Sequence, residues 1–215
     1  MIIKKINHCL RNPSRWKRWI QDFILDMKFG SQFLGKDVYN ANLQLGRSPS
    51  TNSDYEALSA LFSNITILED DVIVDIGCGK GRVFNFLLCL GLNNKLIGVD
   101  VDPKMVEFTK KRLRKYTQID IHLCDVETDA IPDEGTIFYL FNPFSENIVK
   151  EFSRKLIDKI SRGNFNSNKD RPLIIYYNSC YLNVFENNNF WKITKLHNIS
   201  SMNLSAAIIC PNYGN

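Results

Sequence analysis

The chain has little of what builds metal sites. Its three histidines, His8, His122 and His197, stand alone, and no acidic cluster has metal-ligand spacing, so no metal site is expected. The six cysteines, Cys9, Cys78, Cys89, Cys124, Cys180 and Cys210, include no Cys-x-x-Cys pair, and several lie inside apolar runs. This excludes a zinc ribbon, argues against a disulfide frame and fits reduced thiols in a cytoplasmic core. No apolar run reaches the roughly 20 residues of a membrane span. No apolar stretch with a cleavage site follows the N-terminus, and a cytoplasmic location is expected. Internal repeats are absent, and 215 residues that are 44% hydrophobic suit one α/β domain with a short appendage.

Positive charge is missing from most of the chain. Residues 1–28 hold seven Lys and Arg against Asp22 and Asp26, a net of +5, whereas the other 187 residues hold 20 basic against 21 acidic side chains. The core is therefore no basic platform for nucleic acid, and a nucleic-acid partner is not expected. Within the basic segment, Ser14 can cap a helix running to about Lys28, with Trp16, Trp19, Ile20, Phe23 and Met27 on one face. Residues 14–28 suit an anionic membrane surface or an acidic partner. The simpler expectation is that the apolar face packs on the domain or on a second subunit. Oligomeric state is not legible.

The residues that are present organise around Val72-Ile73-Val74-Asp75-Ile76-Gly77-Cys78-Gly79-Lys80-Gly81-Arg82. A β-branched run breaks into three alternating glycines, and Val83 to Leu90 then leads to Gly91, which describes a buried strand, a tight turn and a helix with a glycine stop. Such a turn lets backbone approach a ligand, with helix N–H groups behind it, and marks a nucleotide-type site. The dinucleotide fingerprint needs G-x-G-x-x-G, but Arg82 follows Gly81 here, and Asp75 would repel a pyrophosphate while attracting an ammonium or sulfonium. S-adenosylmethionine carries both cations and no phosphate. The stretch resembles the first motif of class I S-adenosylmethionine-dependent methyltransferases.

Downstream the chain alternates. Strands are expected at Leu96–Asp100, Ile119–Leu123, 136–141 and 172–177, with helices from Asp102-Pro103 to Lys115 and from Ser145 to about Ile160. A closing pair of strands, 191–197 and 205–210, follows a short helix near 182–187. The resulting expectation is a doubly wound, mainly parallel seven-stranded Rossmann-like sheet with an antiparallel edge hairpin. Residues 1–50 would form the helix and an irregular connector able to close over the ligand, and 51–215 the S-adenosylmethionine-binding domain. Ser53-Asp54-Tyr55-Glu56 reads as a capping box for a helix before the first strand. Because the glycine strand and its turn lie beyond residue 70, the basic segment looks dispensable for cofactor binding.

Ligands in such sheets sit beyond the carboxyl ends of the strands. Asp100 ends the second strand 19 residues after Gly81, near the spacing of a ribose-binding carboxylate. The resemblance implies that Asp75, Gly77, Cys78, Gly79, Gly81, Asp100, Val101, Asp125 and Val126 bind the cofactor, with Asp125 taking the adenine amino protons; a simple Asx turn is the other reading of Asp125. It also implies that Thr51, Asp54 and Tyr55 reach the cofactor, against plain helix capping. Asn142-Pro143-Phe144 is similar to the Asn/Asp-Pro-Pro-Tyr/Phe motif of amino methyltransferases but lacks the second proline. An amide oxygen and a backbone carbonyl accepting amine protons would aim the lone pair at the methyl carbon, so Asn142, which also borders the cofactor, Pro143 and Phe144 are the catalytic candidates. Tyr177 or Asn178 would reach the acceptor. The expected activity is methyl transfer to a small-molecule or protein amine. Alternatives are an oxygen acceptor on a sugar or small molecule, RNA as the acceptor, a nicotinamide-dependent oxidoreductase and a regulatory module without turnover.

Overall fold

The structure, a computed structural model, describes residues 13–35, 52–141, 145–163 and 171–213. Seven strands form one sheet: β1 (Ile73–Ile76), β2 (Leu96–Asp100), β3 (Ile119–Leu123), β4 (Ile137–Phe141), β5 (Leu173–Tyr177), β6 (Trp191–Leu196) and β7 (Ala206–Pro211). Their order is β3-β2-β1-β4-β5-β7-β6. The first five are parallel, and β7 runs antiparallel between β5 and β6, which supplies the expected edge hairpin. Strand order reverses between β1 and β4. That reversal opens the crevice in which α/β sheets of this kind bind ligands, directly above the glycine turn.

The helices are α1 (Pro13–Gly30), α2 (Tyr55–Phe62), α3 (Arg82–Cys89), α4 (Pro103–Leu113), α5 (Glu146–Ser161) and the short α6 (Asn183–Glu186). The central strands β1, β2, β4 and β5 are buried on both faces because helices cover both. Ile73, Tyr139, Ile175 and Tyr177 face one apolar cluster with α2 and α3, while Val74, Phe138, Leu140 and Ile174 face another with α5. Among the described residues no helix is long and apolar enough to cross a membrane.

Two details of the helix starts differ from expectation. Pro13 already lies in α1, so Ser14 is inside the helix and does not cap it. At α2 the cap is Asp54, whose Oδ1 accepts the Ala57 N–H at 2.7 Å, and Ser53 turns inward to share a 2.6 Å hydrogen bond with the Tyr139 hydroxyl. With a buried phenol within reach, the serine satisfies that group, and the neighbouring aspartate takes over the helix end.

The larger correction concerns α1. Of the face expected to pack on the domain or on a second subunit, the domain covers little: Trp16 is half-buried, but Trp19 is 39% accessible, Ile20 37%, Phe23 39% and Met27 40%, and Ile24 beside them 55%. The buried face carries Asp26 and Phe29, at 0% and 8%. A charge takes that place because a buried guanidinium awaits it.

Candidate functional site

The glycine turn follows β1, and its backbone groups are largely committed to the protein itself. The N–H groups of Gly77 and Cys78 both donate to Val99 O, at 2.8 and 2.9 Å, and Gly81 N–H donates to Cys78 O at 2.8 Å. From behind, Thr109 Oγ1 donates to Gly79 O, and Arg112 donates to Lys80 O and Gly81 O. Gly81 has φ +76, and a Cβ there would stand 2.8 Å from Thr109 Cγ2, so only glycine fits between the turn and α4. The picture of a turn offering its N–H groups to a ligand is thereby corrected for Gly77, Cys78 and Gly81. They close the turn, and its anion-binding capacity falls accordingly.

Asp100, at the end of β2, reaches back over the turn. Its Oδ2 accepts the Gly79 N–H at 2.8 Å and its Oδ1 accepts the Asp102 N–H at 2.9 Å. Burial still raises its carboxyl above the usual range, partly offset by these bonds. Each oxygen keeps a lone pair, the acceptor arrangement suited to a pair of vicinal hydroxyls. Val101, half-buried, continues the same edge.

Asp75 is 3% exposed and meets neither a hydrogen-bond donor nor a cation among the described residues. Burial, and after it the negative charge of Asp100, raise its carboxyl well above the usual range. A buried acid and a half-buried one near enough for their charges to interact favour positive charge beside them and disfavour phosphate. Cys78 beside them is 6% exposed, and burial raises its thiol, so it acts as a small apolar group and not as a nucleophile.

Behind the turn the electrostatics invert. Arg82, 3% exposed, donates from Nη2 to Asp26 Oδ2 at 2.7 Å, and Asp22 stands 3.7 Å from its Nη1. Asp26 also accepts from the Tyr55 hydroxyl at 2.8 Å, from Asn85 Nδ2 at 3.3 Å and from Leu34 N–H at 3.1 Å. Arg112 joins through Asn85 Oδ1, and burial pulls its guanidinium down to about 10. The segment after α1 is held by the same group, since Lys80 Nζ and Asn52 Nδ2 both donate to Leu34 O. Residue 82, the departure from the dinucleotide fingerprint, thus ties the N-terminal helix to the turn. Tyr55, expected by resemblance to reach a cofactor, is spent on Asp26 and Asn85. Sequence reasoning missed Asp26, Asn85, Thr109 and Arg112, for which the arginine after Gly81 was the only signal.

The remaining candidates divide. Asp125 Oδ1 accepts the Glu127 N–H at 3.1 Å, an Asx turn braced by Asp129, which donates its own N–H to Asp125 O. Val126 is 3% exposed in the α5-side cluster, and its carbonyl accepts from Lys155 Nζ. At the end of β5, Tyr177 stacks on Phe141 at 4.8 Å between ring centres and shares a 3.0 Å hydrogen bond with Ser200, while Asn178 sits at φ +50. The second carboxylate oxygen of Asp54 is buried without a hydrogen bond of normal geometry. Its charge adds to burial in raising the Tyr139 and Tyr177 phenols. Asn142, Pro143 and Phe144 lie outside the described residues, as does Thr51.

Comparison with known proteins agrees with this geometry. Residues 73–162 match the sequence model of a family described as a methyltransferase domain. A putative methyltransferase of Invertebrate iridescent virus 6 is 29% identical over 96 residues, which cover 44% of this chain and 35% of that one. An rRNA adenine N-6-methyltransferase of Limosilactobacillus reuteri is 26% identical over 100 residues, covering 46% and 40%. Against both, the chain spans well under half of the relative's length. The crystal structure of an RNA methyltransferase from Salinibacter ruber in complex with S-adenosyl-L-homocysteine superposes with a TM-score of 0.57 at 12% identity, covering 77% of this chain and 96% of that one. The fold is that of the class I S-adenosylmethionine-dependent methyltransferases. The expectation against nucleic acid finds no support among these relatives, two of which are named for RNA.

Proposed function

We propose that the protein transfers the methyl group of S-adenosylmethionine to an amine nitrogen. The observation that carries this reading is Asp75, a buried carboxylate above the glycine turn that no cation of the protein answers. The residues present fit the cofactor: Asp75 faces its positive charge, Asp100 accepts from its ribose hydroxyls, and Val101 and Asp125 border its adenine. When bound, S-adenosylmethionine supplies a methyl carbon activated by a sulfonium. The chain then has only to position the nucleophile, because in the in-line displacement the nitrogen lone pair forms the new bond as the carbon–sulfur bond breaks.

In this reading Asn142 is the group whose side-chain oxygen accepts an N–H of the incoming amine and turns its lone pair toward the methyl carbon, and Pro143 and Phe144 complete its motif. An amine that arrives protonated must first give up a proton, because only the neutral amine has a lone pair to attack the methyl carbon. Residues 29–215 carry 20 basic against 21 acidic side chains and offer a polyanion no basic platform, so a small-molecule or protein amine comes first. An amine on RNA is the second reading, favoured by the similarity to an rRNA adenine N-6-methyltransferase and to an RNA methyltransferase.

The test starts with ligand binding. S-adenosylhomocysteine at about 100 times its Kd should stabilise the protein by about 2.7 kcal/mol. For a domain of this size the melting temperature should rise by about 5 to 10 °C. NAD or NADP should leave it unchanged, and a shift with NAD alone would sink the reading. A panel of lysine peptides, amino sugars, small amines and RNA oligonucleotides, followed by S-adenosylhomocysteine release, then separates the acceptors.

A further inference from the structure

Helix α1 leaves an apolar face uncovered by any described residue. Trp16, Trp19 and Phe23 form a ladder with ring centres 5.7 and 5.8 Å apart, Phe33 packs on both Trp19 and Phe23, and Ile20, Ile24 and Met27 continue the strip. Of the nine large hydrophobic side chains exposed among the described residues, five belong to this one helix. Monomeric soluble proteins rarely show so contiguous an apolar strip without a use for it. The opposite face is pinned through Asp26 to Arg82, so the helix cannot roll its apolar side inward without stranding a buried ion pair.

We propose that α1 is a docking surface for an anionic lipid bilayer. Charge selects this occupant: residues 1–28 carry +5 while the rest of the chain carries −1, so an anionic surface attracts this end alone. Lys28 is exposed at the end of the strip, and aromatic, aliphatic and basic groups in this order describe a helix that lies in the interface plane. A second copy docking face to face would bring two +5 segments together. Single-stranded nucleic acid needs open aromatic faces for base stacking, but here the rings stack on one another, and Ile20, Ile24 and Met27 offer a base nothing.

The experiment uses the full chain with vesicles of phosphatidylcholine alone or mixed with phosphatidylserine. The protein should sediment with the phosphatidylserine vesicles, shift its tryptophan emission to the blue and let go at high salt. Ile24→Asp, at the most exposed position of the strip, should weaken vesicle binding by about tenfold or more. Its melting temperature and S-adenosylhomocysteine affinity should match the parent protein. Four results would each overturn the proposal: no sedimentation with anionic vesicles, equal binding to neutral ones, binding unchanged in Ile24→Asp, or a concentration-dependent dimer or RNA complex that Ile24→Asp abolishes.

Discussion

Two buried aspartates flank the glycine turn, and they are treated in opposite ways. Asp26, behind the turn, accepts from a guanidinium, a phenol, an amide side chain and a backbone N–H. Asp75, in front of it, accepts from none of the described residues. Both are nearly inaccessible, at 0% and 3%. A buried charge must be compensated, and the protein itself answers only the first of these acids. On the proposed function, the second is answered by the cofactor.

Removing the structural acid should have the largest effect. Asp26→Ala takes from the buried Arg82 its closest acidic partner and leaves, among the described residues, only Asp22, 3.7 Å away, a loss of up to about 3–5 kcal/mol of stability. Urea unfolding checks it; a midpoint within error of the parent would dissolve the contrast. For the same reason, truncation of residues 1–28 should destabilise the domain, a cost separate from the expectation that the segment is dispensable for cofactor binding.

Asn142→Ala asks whether a third polar group is also reserved, this time for the acceptor. It should keep S-adenosylhomocysteine affinity within a few-fold while turnover falls by roughly 10²–10³, the scale for losing one preorganised polar group. Full turnover in a folded variant would retire the assignment and reopen oxygen acceptors.

Asp75→Asn should move affinity and not stability. The amide keeps the shape and removes a charge that burial disfavours, so the melting temperature should hold or rise at neutral pH. Affinity for S-adenosylhomocysteine should fall roughly 10- to 150-fold, the equivalent of about 1.5–3 kcal/mol for a charge-assisted contact. Isothermal titration calorimetry would read it, and unchanged affinity would leave the carboxylate without its assigned task.

The contrast also marks the line between what was legible in the sequence and what was not. The strand, turn and helix from Val72 to Cys89 were legible because their signals are local: a β-branched run, glycines two apart and an apolar helix. Asp100 was legible because strand and helix lengths fix its distance from the turn. The partnership of Asp26 with Arg82 was not, because the two lie 56 residues apart and nothing near Asp26 distinguishes it from a solvated helix charge. The orientation of α1 failed for the same cause. Periodicity locates an apolar face without saying which way it points, and a single buried ion pair reversed it. At Ser53 and Asp54 the capping pattern was sound, but the choice between adjacent caps was decided by the Tyr139 hydroxyl, a group from another strand.

The smallest expected effect is also the most diagnostic of the difference between the two acids. Burial raises the Asp75 carboxyl, so in the ligand-free protein the folded state holds its proton to higher pH than the unfolded chain does. Stability from this group is therefore complete at low pH and declines as pH rises through the folded-state value. A cationic ligand acts in the opposite sense, because it favours the ionised acid and must displace the proton. Affinity for S-adenosylhomocysteine should rise with pH, by at most about tenfold per unit, above the ordinary carboxylate range and below the range in which the ligand's own amino group titrates. Calorimetry in buffers of different ionisation enthalpy should register the released proton. In Asp75→Asn the slope should shrink to what remains from Asp100, whose carboxyl is also raised but is partly held down by the Gly79 and Asp102 N–H groups. An identical slope in the variant would place the titrating group elsewhere and remove the electrostatic case for a cation above the turn.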